Sequence, residues 1–237
     1  MSSTRFFGHD IDFDLAMKPF TWQHYLLMIL AILSVVGTLM LADKLKASKY
    51  EKRIRIGFVI WLFALELSYH LHYWFFGMFS VPLHICSFGV FLSIILLLTD
   101  NKKVFEILFF VGIFGGLLAL FIPNTLGYTF YNMRYYHFIV LHMSITIVPI
   151  YYYKAYGFRI KLSSIYKTFG YFILVSPLVI YVNYIKDKNY MFIGDKPDII
   201  AHLLPEWPYY IIVFAVLAFI MFHILFFISN LFNKFEH

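Results

Sequence analysis

Seven stretches of this chain are long and apolar enough to cross a bilayer as helices: residues 20–42, 55–76, 82–98, 104–123, 134–153, 163–185 and 208–229. Spanning hydrocarbon takes about 20 mostly apolar residues, and lipid offers no partner to an unpaired peptide group, so such stretches fold as helices. Only 14% of the 237 residues are charged and 62% are hydrophobic, whereas water-soluble domains carry about a quarter charged. The expected fold is all-α: one polytopic membrane helical bundle over 1–237 with seven transmembrane helices. The third stretch is the shortest, and its Pro82 suits a first helical turn, where a missing N–H costs nothing. Segment 186–207, with its apolar MFI and IIAHLL pieces, is expected to form an outer cap.

Positive charge sets the orientation. The loop DKLKASKYEKRIR carries six Lys or Arg, and the loops at 99–103 and 154–162 carry two and three more. The alternate loops at 77–81 and 124–133 carry none, and 186–207 balances three Lys with four acids. By the excess of Lys and Arg in cytoplasmic loops, the N-terminus lies outside, the C-terminus lies in the cytoplasm, and the protein is a multi-pass cell-membrane protein. Asp10, Asp12 and Asp14 precede the first stretch and the positive charge follows it, so that stretch reads as retained rather than cleaved. The net charge of +6 belongs to this orientation and not to nucleic-acid binding. A single cysteine excludes an internal disulfide.

Depth then sorts the ten histidines. His9, His24, His70, His72, His84, His137, His142 and His202 fall toward the outer side, with only His223 and His237 toward the cytoplasm. Ionisable groups in a membrane face the bundle interior or a wet cavity, so this asymmetry predicts an outward-opening polar cavity. In ELSYHLHYW, the residues Glu66, Tyr69, His70 and Tyr73 follow i, i+3, i+4, i+7 spacing and share one helical stripe. Glu66 is the deepest carboxylate. His142 lies eight residues below Arg134, roughly 12 Å along the helix, while His137 reads as an interfacial histidine. Gly112, Gly115 and Gly116 form a small face for close helix packing.

VPLHICSFGVF brings His84, Cys86 and Ser87 together. Residues two apart on a helix point about 200° away from each other, so Cys86 is expected to face the fifth helix while His84 and Ser87 take the other side. A thiolate raised by a neighbouring histidine attacks acyl carbon well, and the lone cysteine is equally compatible with packing. A metal site of His70, His84 and His142 lacks an i, i+4 histidine pair, and no cofactor or metal is expected.

The segments PLHICSFGVFLSIILLL, FEILFFVGIFGGLLALFIPN, YYHFIVLHMSI, NYMFIGDKP and EWPYYI, in that order and spacing, resemble the YwaF-like family of bacterial integral membrane proteins. That family is similar to the eukaryotic transmembrane protein 164 group, which acts in phospholipid acyl transfer, and more distantly to androgen-induced membrane hydrolases of lipid esters. The resemblance implies a helical bundle in a bacterial plasma membrane, with a nucleophile and a histidine inside the bilayer, matching here His84 and His142. The eukaryotic pattern places its cysteine where this chain has Leu83. Asn124, Asn189, Tyr190 and Trp207 in the quoted segments join Tyr69, Tyr73, His84, Ser87 and Arg134 as candidate binding residues.

Two readings follow. One is an acyltransferase or lipid-ester hydrolase with Cys86 as nucleophile (Ser87 in reserve), His142 as base, and His70 with Glu66 as orienting or proton-relay groups. The other is a transporter or a small-molecule- or lipid-binding protein in which Glu66 titrates. Membrane lipids, including an acyl-lipid substrate, are the expected partners; the sequence leaves the oligomeric state open.

Overall fold

A computed structural model describes residues 6–235; His237 and the other terminal residues lie outside them. Seven helices account for the bundle: α1 (Trp22–Ala47), α2 (Glu51–Phe75), α3 (Ile85–Thr99), α4 (Lys102–Phe121), α5 (Met133–Ala155), α6 (Leu162–Lys186) and α7 (Tyr209–Phe235). No strand occurs among the described residues. Six of these helices are long and apolar enough to span a membrane; α3, at 15 residues, is not. This corrects the expectation of seven full spans. The residues ahead of Ile85 that counted as apolar, Pro82 to His84, are extended or turned and do not join the helix.

That shortfall positions the site. At the end of the bundle that carries the α1–α2 and α3–α4 loops, the Arg55 guanidinium pairs with Asp100, and the Tyr152 hydroxyl donates to Asp100 (2.6 Å) and to the Leu96 carbonyl (3.0 Å). Tyr151 and Tyr156 donate to Glu51 at 3.0 and 2.7 Å. The register between α2 and α3 is therefore pinned at Arg55 and Asp100. Fifteen residues along α2 from Arg55 is His70, and the same count along α3 from Asp100 reaches Ile85. At 1.5 Å per residue α3 covers about 22 Å, less than the roughly 30 Å of hydrocarbon. The irregular segment 77–84 thus reaches back to the level of His70, short of the end of α2. Non-helical backbone at such depth is tolerated where protein or a cavity surrounds it.

Helix α5 is the axis of the bundle, buried over most of its length and packed on α1, α2, α3 and α4. Its closest neighbour is α4, whose middle turn, Phe109–Gly115, widens into a π-helix. A Cβ at Gly112 would lie 2.6 Å from the Ile145 carbonyl oxygen, and one at Gly116 would lie 2.2 Å from Thr146 Oγ1 and 3.0 Å from the His142 carbonyl oxygen. Those two glycines let the backbones touch. Gly115 does not share that face: its nearest neighbour would be Ile85 at 3.8 Å. The π turn rotates Gly115 away, an offset that regular helical spacing does not foresee.

The segment expected to cap the bundle forms two short 3-10 turns, Tyr190–Phe192 and Asp198–Leu203. Asn183 of α6 holds the first turn, accepting from the Tyr190 N–H (2.8 Å) and donating to the Tyr190 carbonyl (3.0 Å). The N-terminal segment lies against the loop between α4 and α5. There the Asp12 N–H donates to the Gly127 carbonyl and Asn132 Nδ2 donates to the Gly8 carbonyl, at 2.8 and 2.7 Å.

Candidate functional site

The stripe on α2 forms as its spacing predicts. Glu66 and His70, both 4% exposed, pair at 3.1 Å from Oε1 to Nε2. Tyr69 sits edge-on to His70 with ring centres 5.0 Å apart, and Tyr73 follows Tyr69 at 5.0 Å. The other ring nitrogen of His70, Nδ1, lies 2.8 Å from the hydroxyl of Ser80, itself 4% exposed. Sequence reasoning missed Ser80, since a loop residue has no helical period linking it to His70. Trp74 fixes the pair: its ring stacks on His70 and its Nε1–H donates to the Ser80 carbonyl at 2.9 Å.

The partners of His70 determine its tautomer. Where Glu66 is the acceptor, Nε2 carries the proton and Nδ1 accepts from the Ser80 hydroxyl. Carboxylate, imidazole and hydroxyl then stand in the order in which a base, oriented by an acid, polarises a nucleophile.

Around this line lie the remaining candidates. The charge of Glu66 reaches His84, Cys86 and His142, and Tyr69 lies within electrostatic reach of Cys86 and Arg134. His142 is buried, and its Nδ1–H donates to the Phe138 carbonyl at 2.7 Å, which leaves the Nε2 lone pair as its basic site. Cys86 is half-buried against the core, and its thiol lies by the backbone N–H of Ser87 in the first turn of α3. No hydrogen bond joins Cys86 to His142 among the described residues. His84 departs from the 200° argument because it is the N-cap of α3, with extended backbone (φ −76°, ψ 154°), and so lies outside the helix whose periodicity was applied to it. Its ring packs on Tyr190 at 4.8 Å. Tyr190 in turn accepts from the Val81 N–H at 3.1 Å, tying the cap to the Ser80 segment. Ser87 is buried.

His137 packs between α5 and α2. It is buried between Arg134, whose Nη1 donates to its Nδ1 at 3.1 Å, and the Leu65 carbonyl, which accepts from its Nε2 at 2.8 Å. It therefore locks α5 to α2. Asn124, Asn189 and Trp207 stand apart from the cluster. Asn124 accepts from the Leu126 N–H, Asn189 accepts from the N–H groups of Gly194 and Asp195, and exposed Trp207 donates to the Ile193 carbonyl. Each of the three holds its own loop. No group of three His, Cys, Asp or Glu side chains converges as metal ligands among the described residues.

A second polar line, also missed, runs to the N-terminal segment. The Tyr128 hydroxyl donates to His9 Nδ1, and His72 Nε2–H donates to the Tyr128 oxygen at 3.3 Å. Burial, then the nearby Arg134 charge, lower the His9 pKa below the ordinary histidine range, while burial raises that of Tyr128. A histidine favoured in its neutral form loses its contribution as pH falls through the unfolded value, about 6.5. Acidification through that range is therefore expected to speed amide exchange at Asp12 beyond the intrinsic chemical dependence. His9→Phe is expected to remove that pH dependence; an unchanged profile in the variant would show that His9 does not hold the segment.

The profile of the TMEM164 family matches residues 19–226. The chain belongs to the TMEM164 family. The matched span covers all seven helices up to Phe226, and with them the whole Glu66–His70–Ser80 line and both α5 histidines. No curated protein and no solved structure matches the chain. The chain is thus a multi-pass membrane protein of this family.

Proposed function

We propose that this TMEM164-family protein is an intramembrane acyltransferase or ester hydrolase of membrane lipids, with Ser80 as nucleophile, His70 as base and Glu66 as the group that orients His70. The observation that carries it is the pair of contacts on one buried imidazole, 2.8 Å to Ser80 and 3.1 Å to Glu66. Ser80 Oγ attacks the ester carbonyl carbon as its proton passes to His70 Nδ1. Collapse of the tetrahedral adduct breaks the bond to the glycerol oxygen, and His70 returns the proton to that oxygen. The acyl group stays on Ser80 until water or a lipid hydroxyl, deprotonated by His70, takes it. The first N–H groups of α3, whose N-cap His84 offers no side-chain cap, are the fixed donors for the developing oxyanion. The Lys- and Arg-rich loops at the opposite end support a reaction in the outer half of the bilayer.

A second nucleophile has its own support. The Cys86 thiol lies by the backbone N–H groups of the first turn of α3, and His142 keeps a free Nε2. The two are separated by trapping. Purified protein is incubated with a phospholipid bearing a tagged acyl chain, and the adduct is then exposed to neutral hydroxylamine, which cleaves thioesters and spares oxygen esters. A resistant adduct lost in Ser80→Ala and kept in Cys86→Ala is expected. A labile adduct lost only in Cys86→Ala would move the nucleophile to the thiol. With no adduct and no lyso-lipid from any form, the cluster would be a binding or transport site.

A further inference from the structure

Arg134, at the second position of α5, is 5% exposed, yet no carboxylate lies within 4.0 Å of it among the described residues. Its neighbours are neutral. Nη1 donates to His137, and the guanidinium carbon lies 4.0 Å from the Tyr69 ring centre, 5.2 Å from Tyr73 and 5.7 Å from Tyr128. Nε has no partner. A guanidinium is always charged, and a charge removed from water without a counter-ion is costly, so buried charges are paired. The first turn of α5 adds the positive end of a 23-residue helix. The hydroxyl of Thr125 and Nε2 of His24, likewise buried without partners, lie at this same end of the bundle, on the α4–α5 loop and the start of α1.

We propose that the Arg134 guanidinium, at the start of α5, binds a phosphate-type oxyanion, supplied by a lipid headgroup or as free phosphate. A planar fork of N–H groups suits two oxygens of one phosphate; the Tyr128 hydroxyl takes a hydrogen bond from Arg134, but neither it nor the tyrosine rings supply the balancing negative charge. The position fits a headgroup: Arg134 is at the helix end, where lipid phosphates lie, and His142 is about 12 Å deeper along the same helix. Through Tyr69 the guanidinium is two ring contacts from His70, so a phosphate held there places the glycerol esters toward Ser80. In naming the headgroup, the assignment rests on the lipid reading of that neighbouring cluster; the need for an anion does not.

The test reads binding without turnover, as the rise in thermal midpoint of detergent-solubilised protein with ligand concentration. The probes are phosphatidylglycerol, phosphatidylcholine, diacylglycerol and inorganic phosphate. Both phospholipids are expected to raise the midpoint and diacylglycerol is not. Arg134→Gln is expected to weaken the phospholipid effect at least ten-fold, with Arg134→Lys between. The unliganded Arg134→Gln protein is expected to be at least as stable as wild type, since it no longer buries an unpaired charge. A shift from inorganic phosphate alone identifies the free anion as the ligand. Equal shifts from diacylglycerol and phospholipid overturn the proposal, as does wild-type affinity in Arg134→Gln. If Arg134→Gln does not fold, wild-type affinity in Arg134→Lys overturns it, and the probe comparison on wild type still decides. Phosphate-dependent binding without any acyl adduct sinks the Ser80 reading alone, and an adduct with phosphate-independent binding sinks this one alone.

Discussion

His70→Ala is expected to lower the rate of acyl release by roughly ten-thousand-fold, with KM little changed. His70 is the one group that touches both the hydroxyl and the carboxylate, so its loss removes the base and strands both partners. Glu66→Gln keeps the shape and one acceptor but not the charge that stabilises the imidazolium formed during attack. Its expected loss is smaller, roughly a hundred-fold or more, because the amide still orients the ring. Both variants leave buried polar groups short of partners, at a cost of about 1–3 kcal/mol each, so rates are compared per folded molecule after thermal unfolding is measured. Ser80→Ala is expected to match His70→Ala, and the double variant to be no slower than either single one, since the residues act as a unit. Rates within a few-fold of wild type in folded His70→Ala would mean that the Glu66–His70–Ser80 line only latches the 77–84 segment to α2.

The parts of this arrangement that repeat with a helical period were legible in the sequence. Glu66, Tyr69, His70 and Tyr73 fell on one stripe because three- and four-residue spacing on a helix leaves little freedom, and the apolar runs located every helix. The parts that depend on irregular backbone were not legible. Ser80 reaches His70 across a turn that carries no period, and His84 escapes the helical angle because it is the cap and not the first turn. That His137 joins α5 to α2 was not legible for another reason: its place one turn from a helix end does not say which neighbouring helix covers it, and here α2 does, through the Leu65 carbonyl. Arg134 was visible as a candidate, but that its charge is buried among tyrosines follows only from the tertiary packing. The shortness of α3 was hidden by composition, since Pro82, Leu83 and the residues around them are as apolar as the helix they precede.

Gly112→Ala and Gly116→Ala are expected to destabilise the protein by about 1–3 kcal/mol each, while Gly115→Ala is neutral or slightly stabilising. At Gly112 the new methyl would meet the Ile145 carbonyl oxygen at 2.6 Å, a backbone atom that no rotamer change can move, so α4 must retreat from α5. At Gly116 the first obstacle is the Thr146 hydroxyl at 2.2 Å, with the His142 carbonyl oxygen behind it at 3.0 Å. That hydroxyl donates across the helix pair to the Gly112 carbonyl (3.1 Å) and back to the His142 carbonyl (2.8 Å), so displacing it costs the interhelical bond as well. The two substitutions therefore differ in what can relieve them. Adding Thr146→Ala to Gly116→Ala removes the nearest clashing atom and is expected to recover part of the loss, a positive coupling in a double-mutant cycle. Adding it to Gly112→Ala relieves nothing, because the obstacle there is backbone. Thermal midpoints of these variants in detergent check the pattern; equal losses at Gly112, Gly115 and Gly116 would mean that α4 does not present Gly112 and Gly116 alone to α5.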